Sequence, residues 1–169
     1  MINNINFKSY ISDMKLLNTK SNEYHNGVIE LINEEDWEII DNQGYFKFNW
    51  NKEKVYLVYK LKLLEEDKIL GLISLEDISK EYRIHIQLLE NSDSNKGKGK
   101  EYDYIAGCLI AYACELAFNN GYDGFVSLKP KTEIIGLYIK KYGFKIMGQY
   151  LFTDLINSEY LIKKYLENE

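Results

Sequence analysis

The hydrophobic pattern changes from alternating to helical along the chain. Three runs, "KVYLVYKLKLL" (54–64), "KILGLISLEDI" (68–78) and "YRIHIQLLE" (82–90), are rich in β-branched and aromatic residues, and short polar segments separate them. These runs predict three strands that are joined as antiparallel hairpins. The segment "YIAGCLIAYACELAFNN" (104–120) instead has an apolar stripe and many alanines, which predicts a buried helix of about 17 residues that ends at Gly121.

Strand and helix patterns alternate after this helix. "DGFVSLK" (123–129) predicts a short interior strand, and "KTEIIGLYIKKYG" (131–143) predicts a helix with Thr132 as its N-cap and Gly143 as its end. "FKIMGQYLFTD" (144–154) predicts one further strand, and "SEYLIKKYLENE" (158–169) predicts a closing amphipathic helix. Because a crossover helix joins two strands right-handedly in parallel, we expect an α/β (α+β) mixed sheet. It combines an antiparallel meander with a parallel β-α-β unit and has helices on both faces.

The first fifty residues have a weaker pattern. "NEEDWEIIDNQ" (33–43) predicts a short helix that Asn33 opens and that carries acids in its first turn. "GYFKFNW" (44–50) predicts either a short strand or an aromatic loop.

Composition and charge exclude several classes of protein. With 169 residues, 46% of them apolar and 28% charged, the chain fits one soluble globular domain. The net charge of -5 argues against nucleic acid as the main partner. The spacing of Cys108 and Cys114 indicates neither a disulfide nor a metal site. "MINNINFKSYISDMK" (1–15) has no signal-peptide core and no run approaches a membrane span, so we expect a cytoplasmic protein without a membrane partner.

A loop rich in lysine and glycine, "GKGKEYDYIAG" (97–107), leads directly into the apolar helix. A helix N-terminus presents unpaired N–H groups and a partial positive charge, which favours an anion. Ala106 and Gly107 would let a ligand approach the backbone closely. The alternative is a solvated loop followed by small residues that permit tight helix packing. The loop lacks the residues of a nucleotide-triphosphate loop, because Glu101 follows Gly99 and Lys100, and its glycines do not complete a dinucleotide fingerprint.

From Lys54 to Gln149 the chain resembles the GNAT superfamily of acyl-CoA-dependent N-acetyltransferases. The family pattern is a strand, a loop of the form Gln/Arg-x-x-Gly-x-Gly/Ala opening a helix, a second strand, and a helix closing with Tyr…Gly-Phe. The resemblance implies that the loop motif falls on "EYDYIA" (101–106), which matches the helix length and puts Ala106 at the small position. The other register, "SNKGKG" (94–99), makes the helix longer. Glu101 stands where Gln or Arg is usual, and Tyr104 stands where the first glycine is usual.

The resemblance implies acetyl-CoA as the acyl donor. The two histidines are far apart in sequence, which argues against a zinc site, so we expect no metal. In the family, the strand that matches "YRIHIQLLE" carries a bulge that splays it from the next parallel strand, and the pantetheine arm lies in the gap. The implied cofactor-binding residues are Leu88, Leu89, Glu90, Lys98, Lys100, Glu101, Tyr102, Tyr104, Ile105, Ala106 and Gly107.

The implied mechanism is direct attack of an amine on the thioester, without a covalent enzyme intermediate. Tyr138 matches the family tyrosine that protonates the departing thiolate. Tyr142 is its rival, because the spacing from Tyr138 to Gly143 is one residue longer than usual. The catalytic candidates for taking the amine proton, or for ordering a water that does so, are His85 and Ser127, with Glu76 and Glu90 as further candidates.

We expect a single GNAT-like domain over residues 1–169. Residues 1–53 form a variable acceptor-side region, 54–149 the cofactor-binding core, and 150–169 the C-terminal strand end and helix, which from Ser158 replaces the usual last strand of the family. The aromatic residues of the first region either line an acceptor pocket or form core: Trp37, Tyr45, Phe46, Phe48 and Trp50.

The implied function is transfer of an acetyl group from acetyl-CoA to a primary amine of a small molecule or peptide. One alternative is a catalytically silent GNAT-like module that binds an acyl-CoA or a protein partner. Another is a structural protein, and a homodimer through the C-terminal segment stays open.

Overall fold

The computed structural model describes residues 14–167, and within them a nine-stranded sheet with four α-helices. The strands are β1 (Lys15–Asn18), β2 (Tyr24–Leu31), β3 (Leu57–Leu63), β4 (Ile69–Ile78), β5 (Arg83–Asn91), β6 (Tyr102–Asp103), β7 (Val126–Leu128), β8 (Lys145–Met147) and β9 (Tyr150–Thr153). The helices are α1 (Glu34–Gln43), α2 (Ile105–Asn119), α3 (Ile135–Tyr142) and α4 (Leu155–Tyr165). The strand order across the sheet is β6-β1-β2-β3-β4-β5-β7-β9-β8.

The predicted meander and the predicted parallel unit are both present. Strands β3, β4 and β5 pair as antiparallel neighbours, and β5 pairs in parallel with β7. The connection from β5 to β7 contains the short edge strand β6 and then helix α2, so β5, α2 and β7 form the β-α-β unit that the sequence predicts. The mixed sheet confirms the predicted fold class.

Helices cover both faces of this sheet, as predicted. One face of the sheet, the α2 face, packs against α2, α3 and α4, whose buried side chains include Leu109, Tyr138 and Leu161. The other face, the α1 face, packs against α1 and a 3₁₀ helix (Trp50–Glu53), which contribute Ile40 and Trp50. The sheet therefore lies between two apolar cores, each closed by helices.

Sequence signals at the ends of α1 and α2 work as expected. Asn33 accepts a hydrogen bond from the Asp36 N–H, and the Asp36 side chain accepts one from the Asn33 N–H, which closes a capping box. Helix α2 is two residues shorter than predicted, but Gly121 follows it with a φ of +79°, a conformation that glycine adopts without strain.

The prediction that Thr132 caps a helix is wrong. Thr132 begins a single 3₁₀ turn (Thr132–Ile134), and α3 begins only at Ile135. The N–H of Ile134 donates to the Lys131 carbonyl at 3.1 Å, so a backbone bond of the tighter turn replaces the expected side-chain cap. Gly143 ends α3, as predicted, with a φ of +70°.

Two predictions at the C-terminal end are also wrong. Residues 144–154 form a hairpin of β8 and β9 rather than one strand, because Gly148 turns the chain with a φ of +60°. Helix α4 begins at Leu155, before Ser158, and it follows β9 instead of replacing a strand. Ser158 is buried inside α4, where its hydroxyl donates to the Gly124 carbonyl at 2.7 Å.

The remaining sequence expectations concern the thiols and the N-terminal segment. Cys108 and Cys114 are both free and buried, so they form no disulfide. The expectation of no signal peptide concerns residues that lie mostly outside the described range. Within residues 14–167, none of the helices has the length and apolar character needed to cross a bilayer.

Candidate functional site

A gap opens between the neighbouring parallel strands β5 and β7. The two strands pair over only three residues each, and the pairing ends at Ile86 and Leu128. Directly after Ile86, the register between β4 and β5 shifts so that Gln87 has no partner in β4. Such a bulge bends the strand that carries it. Residues 88–91 continue their pairing with β4 but not with β7, which leaves one edge of β5 open toward the gap.

A cleft of about 660 Å³ lies where this open edge meets the N-terminus of α2. All but one of its lining residues come from the second half of the chain, and the exception is an aromatic side chain from the first half. The lining residues are Phe48, 89–91, 95–97, Lys100, 102–106, Ile134, Leu137, Tyr138, Lys141, Tyr142 and Tyr165.

The first turn of α2 presents backbone donors at this cleft. Tyr104, the residue before the helix, makes no side-chain cap, and the first helical bond runs from the Cys108 N–H to the Tyr104 carbonyl at 2.9 Å. The N–H groups of Ile105, Ala106 and Gly107 precede that bond and have no acceptor within the helix. Tyr104 has a φ of +77°, a left-handed conformation that favours glycine.

Cations and acids line the cleft in pairs. The Lys96 Nζ lies 2.6 Å from a Glu90 oxygen, and the Lys100 Nζ lies 3.0 Å from Asp103 Oδ1. The same Asp103 oxygen accepts a hydrogen bond from the Tyr104 N–H at 2.8 Å. Burial alone would raise the pKa of Asp103, but the hydrogen bonds from Lys100 and from this N–H outweigh it and lower the pKa.

Glu90 is a buried carboxylate that connects the cleft to the aromatic loop. It accepts hydrogen bonds from the Lys47 N–H at 2.8 Å, the Phe48 N–H at 3.2 Å and the Trp50 indole at 2.9 Å. Burial would raise its pKa, yet these bonds and the one from Lys96 lower the pKa overall. The carboxylate thus holds residues 47–50 against the end of β5, and Phe48 stands at the cleft.

Tyr138 contributes a phenol to the cleft wall. Its ring contacts the rings of Tyr142 and Phe144, with centroid distances of 5.9 and 5.5 Å. Burial raises the pKa of Tyr138 to about 12, so the phenol keeps its proton at neutral pH. Tyr142 also lines the cleft, and its pKa is likewise raised by burial. Both tyrosines are therefore protonated groups at this site.

A second polar group lies on the α1 face. Cross-strand partners place Glu76, His85 and Ser127 in one row across β4, β5 and β7. His85 Nδ1 is 2.8 Å from Ser127 Oγ, which also accepts from Arg83 at 2.6 Å. Burial, and then the charge of Arg83, lowers the pKa of His85 and keeps the imidazole neutral. His85 and Ser127 are not among the residues that line the cleft.

The structure brings most of the predicted cofactor-binding residues to the cleft but not all. The ones in its lining are Leu89, Glu90, Lys100, Tyr102, Tyr104, Ile105 and Ala106, and the ones outside it are Leu88, Lys98, Glu101 and Gly107. Leu88 packs in the α1-face core, the Glu101 carboxylate lies 3.9 Å from Lys68, and Gly107 lies against the ring of Tyr165. Cofactor binding by any of these residues remains a prediction.

The aromatic residues of the first fifty positions divide between core and surface. Trp50 is buried in the α1-face core, and Phe46 and Trp37 pack against that core. Tyr45 and Phe48 are exposed, and Phe48 is the member that lines the cleft. The segment 44–50 forms a loop, one of the two structures that its pattern predicts.

Sequence reasoning missed several lining residues. Tyr165 reaches the cleft from the C-terminal helix, and the signal for it was Gly107, since any Cβ there would overlap the Tyr165 ring. Lys96 lies directly before the 97–107 loop and Asp103 within it, but only the structure shows which acid each cation contacts. No local pattern marks Ile134 or Leu137 as lining residues.

Neither the models of protein families nor the curated protein sequences match this chain. Solved structures do. Nourseothricin acetyltransferase superposes with a TM-score of 0.54 at 12% identity, covering 76% of this chain and 97% of that one. A Chromobacterium violaceum protein named as a member of the GNAT family gives 0.54 at 11% identity, covering 79% and 84%. An acetyltransferase from Bacillus subtilis, solved in complex with CoA, gives 0.51 at 17% identity, covering 76% and 98%.

These likenesses extend over most of both chains. The predicted resemblance in architecture is thereby confirmed. The chain has the fold of the GNAT acetyltransferases.

Proposed function

We propose that this protein is an N-acetyltransferase that moves the acetyl group of acetyl-CoA to a primary amine of a small molecule or peptide. The observation that carries the proposal is the open edge of β5 beside the N-terminus of α2, because this arrangement offers two kinds of backbone donor to one extended ligand. A flat sheet with β5 and β7 fully paired would leave no such opening.

In the proposed complex the pantetheine arm lies along β5 like an added strand. The main chain of Leu88, Leu89 and Glu90 provides its hydrogen bonds, as in other cases of strand addition. The diphosphate lies at the first turn of α2, where the N–H groups of Ile105, Ala106 and Gly107 and the helix dipole favour an anion. Lys98 and Lys100 add positive charge on the loop side.

The chemistry then needs two proton transfers. The amine nitrogen forms a bond to the thioester carbon, the carbon–sulfur bond breaks, and the sulfur takes a proton from Tyr138. An amine that reaches the thioester from the α1 face passes His85, which takes its proton, directly or through a water, because the lowered pKa leaves the imidazole neutral at pH 7. In the tautomer in which His85 Nδ1–H donates to Ser127, Arg83 Nη1 donates to Ser127 and not to Nδ1, from which it lies 3.2 Å, and the other ring nitrogen is free to accept this proton.

The proposal covers the whole chain as one domain. Residues 1–53 would provide the acceptor side, residues 54–149 the cofactor-binding core and residues 150–169 the last strand end and helix. The likeness to nourseothricin acetyltransferase supports a small-molecule amine as one acceptor class. We also propose a cytoplasmic location and a reaction without a metal.

Binding of acetyl-CoA tests the proposal directly by isothermal titration. Ala106→Asp would place a negative charge at the first turn of α2, where it suits the helix dipole but repels a diphosphate. We expect binding to weaken by about tenfold or more. The matched control is Asn119→Asp at the exposed opposite end of the same helix, which should bind as the wild type does. If millimolar acetyl-CoA produces neither heat nor a thermal shift in the wild type, the proposal is wrong.

The alternative of a silent acyl-CoA-binding module has a specific observation in its favour. Two acids, Glu90 and Asp103, line the cleft, and Tyr104 replaces a glycine of the family motif. Release of free thiol from acetyl-CoA across a panel of amines separates the two functions. An enzyme releases thiol with at least one amine, whereas a silent module binds acetyl-CoA and releases none.

A further inference from the structure

The Asp103 carboxylate accepts hydrogen bonds from two donors at the cleft. Its Oδ1 accepts from the Lys100 Nζ at 3.0 Å and from the Tyr104 N–H at 2.8 Å. Lys141 also lies on the cleft wall, and its charge favours the ionised carboxylate. The side chain is 30% exposed, so it lies at the surface of the cleft rather than beneath it. An anion of the protein itself is therefore bound where the loop enters α2.

These contacts are all local. Asp103 is adjacent to Tyr104 and three residues from Lys100, so the carboxylate reaches its partners with little ordering of the chain. A diphosphate at the first turn of α2 would need the same cation and the neighbouring N–H. It would either displace the carboxylate or lie next to a like charge, and both alternatives reduce its affinity.

Glu90 differs from Asp103 although it also pairs with a lysine of the cleft. Three of the hydrogen bonds that Glu90 accepts hold the 47–50 loop, so its charge has a structural use. The partners of Asp103 belong to its own loop. Removal of the Asp103 charge therefore changes the electrostatics of the cleft more than its architecture.

We propose that Asp103 is an internal anion that competes with the diphosphate of CoA and limits the affinity of the cleft for the cofactor. This inference rests on the proposed function. The inference predicts that CoA binds more tightly when the Asp103 charge is removed, which is the opposite of what an organising role would give. If Asp103 served to hold Lys100 and Tyr104 in a binding conformation, its neutralisation would weaken cofactor binding instead.

The test is isothermal titration of CoA into the wild type and into Asp103→Asn. For an anion about 6 Å away in a partly wet cleft, with an effective dielectric constant of about 40, loss of one like charge lowers Kd about tenfold. The control is Asp67→Asn, which makes the same change of net charge at a fully exposed side chain near Lys62. It should leave Kd unchanged. Higher salt should reduce the difference between Asp103→Asn and the wild type.

Each outcome has a definite meaning. A tighter complex with Asp103→Asn, but not with Asp67→Asn, supports the inference. An unchanged or weaker complex overturns it while the proposed function stands. If neither the wild type nor Asp103→Asn binds CoA at millimolar concentration, the proposed function fails and the inference fails with it. Asp103→Ser removes the charge in a different way and replaces Asp103→Asn if thermal unfolding shows that the first variant does not fold.

Discussion

Replacement of Glu90 by glutamine should destabilise the whole fold, although the two side chains have nearly the same shape. Each carboxylate oxygen accepts two hydrogen bonds: Oε2 from the Lys47 N–H and Lys96, and Oε1 from the Phe48 N–H and the Trp50 indole. Glutamine has only one oxygen, so its NH₂ group must face one of these pairs of donors. Two donors then lose their acceptor in a site where the Glu90 side chain is 2% exposed.

The size of the effect follows from this count. A buried donor without an acceptor costs about 1–3 kcal/mol, and the remaining bonds lose the strengthening that a charged acceptor provides. Water can reach Lys96, whose side chain is 33% exposed, so we expect a total loss of about 2–5 kcal/mol. For a chain of this length each kcal/mol lowers Tm by about 2–4 °C, so Tm should fall by roughly 4–20 °C at pH 7.

The effect should also depend on pH with a definite sign. The pKa of Glu90 is lowered in the folded protein, so its stabilising contribution is present above the unfolded value of about 4.3. It is lost as the pH falls through the folded pKa. The gap in Tm between the wild type and Glu90→Gln should therefore persist from pH 7 down to about pH 5 and narrow only below about pH 4.

Thermal unfolding followed by circular dichroism measures both effects. The control is Glu159→Gln, which removes an exposed carboxylate 3.2 Å from Lys163 in α4. A surface pair of this kind contributes less than about 1 kcal/mol, so Tm should change by no more than about 4 °C. If Glu90→Gln melts within the range of this control, the hydrogen bonds that Glu90 accepts do not stabilise the fold to this extent.

Three further predictions concern catalysis and the end of α3. Tyr138→Phe should lower kcat by about 10²-fold or more while the Kd for acetyl-CoA stays close to that of the wild type, and unchanged turnover would assign the acid elsewhere. His85→Asn should lower kcat/KM and remove the acid limb of its pH profile, which is the fall of kcat/KM at low pH. In the wild type this limb lies below about pH 6.5, because burial lowers the pKa of the imidazole, and a limb that persists in the variant would exclude His85 as the base. Gly143→Ala should destabilise the fold by about 1–3 kcal/mol in urea, since the residue has a φ of +70° and an added Cβ would overlap Asn157; an unchanged midpoint would contradict this strain.

Periodicity and end signals explain which parts of the fold could be predicted. The meander and α2 have patterns that repeat over many residues, and Asn33, Gly121 and Gly143 mark element ends through local backbone chemistry. Short elements were harder to predict. A single residue, Gly148, divides residues 144–154 into a hairpin, and its effect depends on a turn that the hydrophobic pattern does not record.

Contacts between distant segments explain why the site was only partly predicted. The motif positions 102–106 could be found because they are contiguous. Tyr165 lies about sixty residues from Gly107 in sequence, and only packing of α4 on α2 brings its ring to the cleft. In the same way, nothing in the local sequence shows that Glu90 accepts hydrogen bonds from residues more than forty positions away.

The bulge at Gln87 links the two halves of the candidate site. Before it, Ile84 and Ile86 point into the α2-face core, and unbroken alternation would send Glu90 to that same apolar core. The extra residue reverses the alternation, so that Leu89 now faces the α2 side and Glu90 faces the donors of the 47–50 loop. One inserted residue therefore has two consequences: it separates β5 from β7, and it gives a buried carboxylate its partners. The opening in the sheet and the loop that holds Phe48 beside it arise from the same local change of register.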